Sequence, residues 1–177
     1  MTNMMPKTLH TLAADCVVVR RDGGPDGNLL SLYAGDGGRD EDWHSWRAPL
    51  LAPFDGIAVG FQINPETTSP GVRGSGRSST ILFQQLVDGE PTDVHVAYVL
   101  DREVTVSQGD AVRAGEPVAC IGNNGLSFHP HVHVGSFCGE MVSEDAVPLQ
   151  VRMDLAAMGR VRGFSQRMER GLGRLHR

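Results

Sequence analysis

Two histidines separated by one residue open the search for chemistry. His131 and His133 lie in the stretch GNNGLSFHPHVHV, residues 122–134. On a β-strand, alternate side chains share a face, so both imidazoles point one way while Val132 and Val134 point the other, into a core. Neutral imidazole nitrogen is a good zinc ligand, and two on one strand face form half of a zinc site. The same arrangement also occurs as a pair of hydrogen-bonded surface histidines, and H-x-H alone does not separate the two readings. His129, beyond Pro130, reads as a loop residue.

A metal site needs further ligands. His10 and Asp15 precede the first apolar run and offer an imidazole and a carboxylate a short loop apart. Either residue is equally at home in a terminal segment or a turn. His44, between Trp43 and Trp46 in a polar loop, is a further candidate. His95 and Tyr98 sit three apart on one expected strand, so only one of them can face a shared site.

The elements that must position these residues read as short strands separated by turn clusters. Residues 16–20 (CVVVR) form an expected buried strand. Residues 53–61 read as a turn and strand, and residues 80–87 and 93–100 as a hairpin through the turn at 88–91. Short strands are expected at 104–106, 117–121 and 132–137, with turns at Gly109 and Gly115. Residues 35–42 and 64–79 are polar loops. From residue 153 the pattern changes, and Phe164, Met168 and Leu172 at i, i+4 and i+8 suggest a helical tail. The expectation is therefore a mainly β domain of packed antiparallel sheets over residues 1–152, followed by a short, basic helical tail over 153–177.

Composition narrows the function classes. Phe, Trp and Tyr make up only 6% of the 177 residues, too few for a base-stacking platform. The net charge is −5, yet residues 152–177 hold seven Arg against two acids, leaving −10 on the rest. An acidic body does not suit nucleic acid as a partner. Three cysteines, Cys16, Cys120 and Cys138, give an odd count without a disulfide framework. No segment has the length of a membrane span, and the first residues lack the basic start and apolar run of a secretory signal. The chain as given therefore reads as cytoplasmic, or as secreted or periplasmic if a leader is missing. Oligomeric state is not legible.

Taken in order, these pieces resemble a known family. Val106, Gly109, Asp110, Val112 and Gly115 follow its V-x-x-G-D-x-V-x-x-G pattern. Ile121, Gly122, Gly125, Ser127, Pro130, His131 and His133 follow I-G-x-x-G-x-S-x-x-P-H-x-H. Upstream, residues 51–59 (LAPFDGIAV) are similar to an A-P-x-D-G turn and strand. The combination resembles the lysostaphin/LytM-type zinc metallopeptidases, and the match spans most of residues 10–137.

That resemblance implies a β-rich fold, one Zn2+ and hydrolysis of peptide bonds, with a peptide or peptidoglycan substrate. It implies His133 as a metal ligand and His131 as an unligated catalytic residue. The other ligands fall on Asp15 and on His10, one residue wider than the family's H-x-x-x-D spacing, with His44 as the fallback. Counted back from Val106, the family's second catalytic histidine falls on Tyr98. A tyrosine there would donate to a developing oxyanion, but with a reference pKa of about 10 it is a poor proton acceptor. Either Tyr98 substitutes in part, or His95 reaches the site, or the chain is a catalytically impaired binding or regulatory module. A lipoyl- or biotinyl-type carrier is disfavoured, because Lys7 is the single lysine and lies in no hairpin.

Overall fold

A computed structural model of the chain describes residues 12–22, 29–99, 101–140 and 145–151. The short edge strand β1 (Ala14–Cys16) is followed by a small hairpin, β2 (Arg20–Asp22) with β3 (Leu29–Ser31), then β4 (Pro49–Leu51), β5 (Gly56–Gln62) and β6 (Thr80–Val87). After these come β7 (Glu90–Val99), β8 (Asp101–Arg102), β9 (Ala111–Val112), β10 (Pro117–Ile121), β11 (Val132–Cys138) and β12 (Val147–Leu149). Among the described residues, one antiparallel sheet runs β1-β11-β7-β6-β5-β9, with β12 also pairing with β11. A second sheet runs β4-β10-β8. The protein is mainly β, built of antiparallel sheets.

Local chemistry explains the central hairpin. β6 and β7 are apolar and β-branched, and the two residues between them, Asp88 and Gly89, both have positive φ (53° and 85°). That pairing is what a tight two-residue hairpin turn requires. It fixes the register Val87↔Glu90 at the turn; an irregularity between Gln84 and Leu86 then shifts the pairing to Gln84↔His95 through Thr80↔Val99. Gly56 permits the next pairing, since a Cβ there would lie 2.4 Å from the Gln84 carbonyl oxygen.

Register also assigns the faces, because directly paired residues project to the same side of a sheet. One face carries Val132 and Val134 of β11, Val96 and Tyr98 of β7, and Ile81 and Phe83 of β6. These pack with Leu50, Val118 and Ile121 of the small sheet into the main core. The other face carries Asp15, His133 and Val99, then Ala97 and Leu82, then Phe137 and His95. Leu82, Ala97, Phe137 and Ala146 form a smaller cluster there. The pleat therefore places the charged site and the main core on opposite sides of the same three strands.

The structure departs from two expected strands. Of residues 16–20 only Cys16, ending β1, and Arg20, opening β2, are in strands, and Val17, Val18 and Val19 are 39%, 38% and 45% exposed. The reason is that β11 starts at Val132, so β1 has no partner beyond Cys16↔Val132. The chain turns away there, and the Val18 N–H donates to Ser45 Oγ at 2.8 Å. Residues 104–106 form no strand; Val104 and Val106 still pack against the main core. Cys16, Cys120 and Cys138 are free thiols. The expected helical tail lies outside the described residues. Among the described residues, no helix is long and apolar enough to cross a membrane.

Candidate metal and catalytic site

Asp15 and His133 are direct cross-strand partners, 118 residues apart in sequence. His133 Nδ1 donates to Asp15 Oδ1 at 2.8 Å, and His131 Nε2 lies 3.7 Å from the same oxygen. The Asp15 side chain is 64% exposed, so the cluster opens to water, while His131 and His133 are largely covered. Fully buried Pro130 anchors the turn that delivers both histidines to this edge.

His131 has a defined tautomer in its neutral form. Its Nδ1 lies 2.8 Å from the His129 carbonyl oxygen, which can only accept. The proton is therefore on Nδ1, and Nε2 presents its lone pair to the open side. Burial pushes the His131 pKa below the usual imidazole value, opposed by the His129 carbonyl and by Asp15. His131 is thus neutral at pH 7 and able to accept a proton.

Carboxylate oxygen and neutral imidazole nitrogen are both atoms of the kind zinc takes. The Asp15 oxygen and the His133 Nδ1 stand 2.8 Å apart, with His131 Nε2 3.7 Å from that oxygen. Among the described residues no group of three His, Cys, Asp or Glu side chains is arranged to hold a metal ion. His10, expected as a further ligand, lies outside the described residues. His44 does not join Asp15; its Nε2 lies 3.1 Å from Ser31 Oγ.

Tyr98 requires a correction. It is paired with Val134, not with His133, and so faces the main core. It is 9% exposed, its hydroxyl donates to the Leu51 carbonyl at 2.8 Å, and its ring meets Phe83 edge-on at 5.6 Å. The oxyanion-donor role is therefore ruled out by the pleat. The β7 residue opposite His133 is Val99, which carries no proton. His95 shares the face of His133 but lies opposite Phe137, about 13 Å along the strand. There it stacks on the Phe137 ring at 5.1 Å, with Nδ1 3.1 Å from the Asp93 carbonyl oxygen.

Tyr98 still has a measurable signature. Burial pushes its phenol up from 10.0 to about 12. A group whose folded pKa exceeds its unfolded value contributes stability that is complete below the unfolded value and lost as pH rises through the folded one. Wild-type stability should thus fall by about 2 kcal/mol more than that of Tyr98→Phe between pH 10 and pH 12. Urea titrations at stepped pH measure this. Parallel alkaline curves for the two proteins would contradict the buried phenol.

The sequence pattern missed two members of the site. Trp43 stacks on His129 with ring centroids 4.7 Å apart and planes 5° apart, and His129 lies 5.0 Å from His131. The signal available was a tryptophan inside a charged loop, where an apolar ring needs a reason. The polar loops at 35–42 and 64–79 are both tied to the segment that precedes β11. Asn123 Nδ2 donates to Asp40 Oδ1 at 2.8 Å and to the Thr68 carbonyl at 2.7 Å, tying both loops to the turn before β11. Gly71 and Gly74 donate to the carbonyls of Phe128 and Ser127. Gly125 has φ of +64°, and a Cβ there would come within 2.2 Å of Ser78 Oγ. The GNNG segment is thus the structural knot that holds the loops around the site.

The sheet thus presents a carboxylate and two imidazoles at one water-accessible edge. No family profile and no curated protein matches the sequence. Solved structures with similarity include the antimicrobial peptidase lysostaphin from Staphylococcus simulans, at 21% identity and a TM-score of 0.43. That match covers 59% of this chain and 37% of the other, so the chain spans just over a third of that protein. A variant catalytic domain of the prophage-encoded M23 protein EnpA from Enterococcus faecalis is 20% identical, covering 73% of this chain and 91% of that one, with a TM-score of 0.43. A zinc-containing peptidase from Vibrio cholerae is 15% identical over 85% of this chain and 40% of its own, with a TM-score of 0.43.

Proposed function

We propose that the chain is a zinc-dependent metalloendopeptidase that hydrolyses peptide bonds, with peptidoglycan peptides as its substrate class. The observation that carries this reading is the convergence of Asp15 Oδ1 with His133 Nδ1 at 2.8 Å and His131 Nε2 at 3.7 Å. The ordered G-D-x-V and P-H-x-H motifs support the substrate class. Asp15 and His133 would hold the metal, with His10, outside the described residues, as the third ligand. Bound zinc supplies a Lewis acid and a water of lowered pKa. His131 accepts or returns a proton at Nε2, while its Nδ1 stays committed to the His129 carbonyl. Tyr98 takes no part.

A second reading follows from the β7 correction. With Val99 opposite His133 and Tyr98 turned into the core, the described site holds one proton-carrying imidazole beside the metal position. A zinc-holding module that binds such peptides without cutting them fits that arrangement. The deciding measurement uses the full chain loaded with one equivalent of zinc, incubated with purified peptidoglycan and with a glycine-rich peptide. Release of new amino groups, suppressed about 100-fold or more in His131→Ala with zinc retained, establishes the peptidase. Zinc bound with no amino groups released selects the binding module. Failure to retain zinc ends both readings.

A further inference from the structure

The His131 ring has one side committed, its Nδ1 lying 2.8 Å from the His129 carbonyl oxygen. Its Nδ1 proton goes to a carbonyl, so its Nε2 lone pair looks toward Asp15 Oδ1, another acceptor, at 3.7 Å. Two acceptors do not hold each other, and the contact is too long for a hydrogen bond. The ring must be held from its other side. The residue there is His129, which contributes both its backbone oxygen and an imidazole 5.0 Å from the His131 ring.

His129 is itself clamped. Trp43 lies parallel to it at 4.7 Å. Trp43 is fixed in turn by its indole N–H donating to the Gly37 carbonyl at 3.0 Å and by the Tyr33 ring at 4.9 Å. A backbone bridge joins Tyr33 to Trp43, and Gly37, with φ of +69°, packs so tightly on Tyr33 that a Cβ would meet its ring at 2.9 Å. The loop is then tied to the site by the buried Asp40–Asn123 bond. The result is a chain of ring contacts, Tyr33–Trp43–His129–His131, parallel at Trp43–His129 (5°) and tilted by 49° and 53° at its two ends, that runs from a polar loop to the reacting edge.

We infer that Trp43 is a positioning residue: through the ring of His129 it holds the orientation of His131 in which Nδ1 meets the His129 carbonyl, itself accepting from Ser127 Oγ at 2.9 Å, so that Nε2 stays open toward the metal and substrate. The inference rests on the reading in which His131 acts at the site, yet its principal test does not require turnover. Parallel stacking needs a flat ring at residue 43, whereas filling the space does not. Trp43→Phe keeps the face of the clamp, Trp43→Leu removes it, and His129→Leu removes the stacked imidazole while leaving the backbone oxygen.

The experiment is long-range ¹H–¹⁵N correlation of the histidine rings in the full-length chain at pH 8. Wild type and Trp43→Phe are expected to show His131 as a single tautomer protonated on Nδ1. Trp43→Leu and His129→Leu are expected to show averaged nitrogen shifts. If hydrolysis is present, both leucine variants should lose about 10-fold in kcat with KM within about twofold of wild type, and Trp43→Phe should recover most of the loss. A wild-type His131 tautomer in both leucine variants overturns the inference, as does Trp43→Phe behaving like Trp43→Leu. If one leucine variant does not fold, the other decides. Wild-type protein that cuts no peptide but keeps the tautomer pattern ends the peptidase reading and leaves the clamp standing.

Discussion

His133→Ala is expected to release the metal, weakening zinc affinity by more than about 100-fold, because loss of outer partners that merely orient ligands already costs 10–100-fold. The variant should fold, since His133 lies near the rim of the sheet and not in its main core, and the Asp15 carboxylate it leaves behind is 64% exposed. No charge is stranded in a dry interior. Competition with a chelator of known zinc affinity gives the number, and circular dichroism confirms the fold. Asp15→Asn keeps an oxygen in place but removes the charge, so its affinity should fall between wild type and His133→Ala. Equal zinc retention in wild type and His133→Ala would show that the cross-strand pair is an ordinary hydrogen bond.

The second large effect is on stability. Phe83→Ala should cost about 3–5 kcal/mol, the usual range for truncating a buried phenylalanine. Phe83 has no exposed surface, and it fills the layer between the sheets, where Tyr98 meets it edge-on and the small sheet closes over it. Urea unfolding should show a lower midpoint with an unchanged slope. Phe83 lies two strands from β11 and on the face away from His133. Zinc affinity of the folded variant should therefore stay within about twofold of wild type, since sites with no shared partners behave independently. A large loss of affinity would mean that the core and the metal edge are mechanically coupled. Phe137→Ala is the informative contrast: it sits on β11 itself, four residues beyond His133, against His95.

Much of the architecture was legible because the signals that carry it are local. The strand at Thr80–Val87 falls where its β-branched and aromatic run lies, and Asp88–Gly89 supplies the turn chemistry for the hairpin. Gly109 and Gly115 adopt positive φ, as expected of turn glycines. His131 and His133 could be placed on one side of a strand start from their spacing alone. The failures have local causes too. Residues 17–19 look like a buried strand, since three consecutive valines favour extended backbone. Yet burial needs a neighbour, and β11 offers none beyond Val132.

The amino-acid order thus determined the class of fold, the main hairpin and the pairing of two imidazoles, because side-chain alternation and turn conformation depend only on neighbouring residues. Tertiary structure alone decided that Asp15 stands opposite His133, that Tyr98 turns inward while Val99 faces the site, and that Trp43 rather than His44 reaches the histidines. Each of these depends on which strands meet and in what register, and a one-residue slip reverses every side chain. Register is chosen by burying the largest apolar surface across the whole sheet, a sum over residues far apart in the chain that no local pattern encodes.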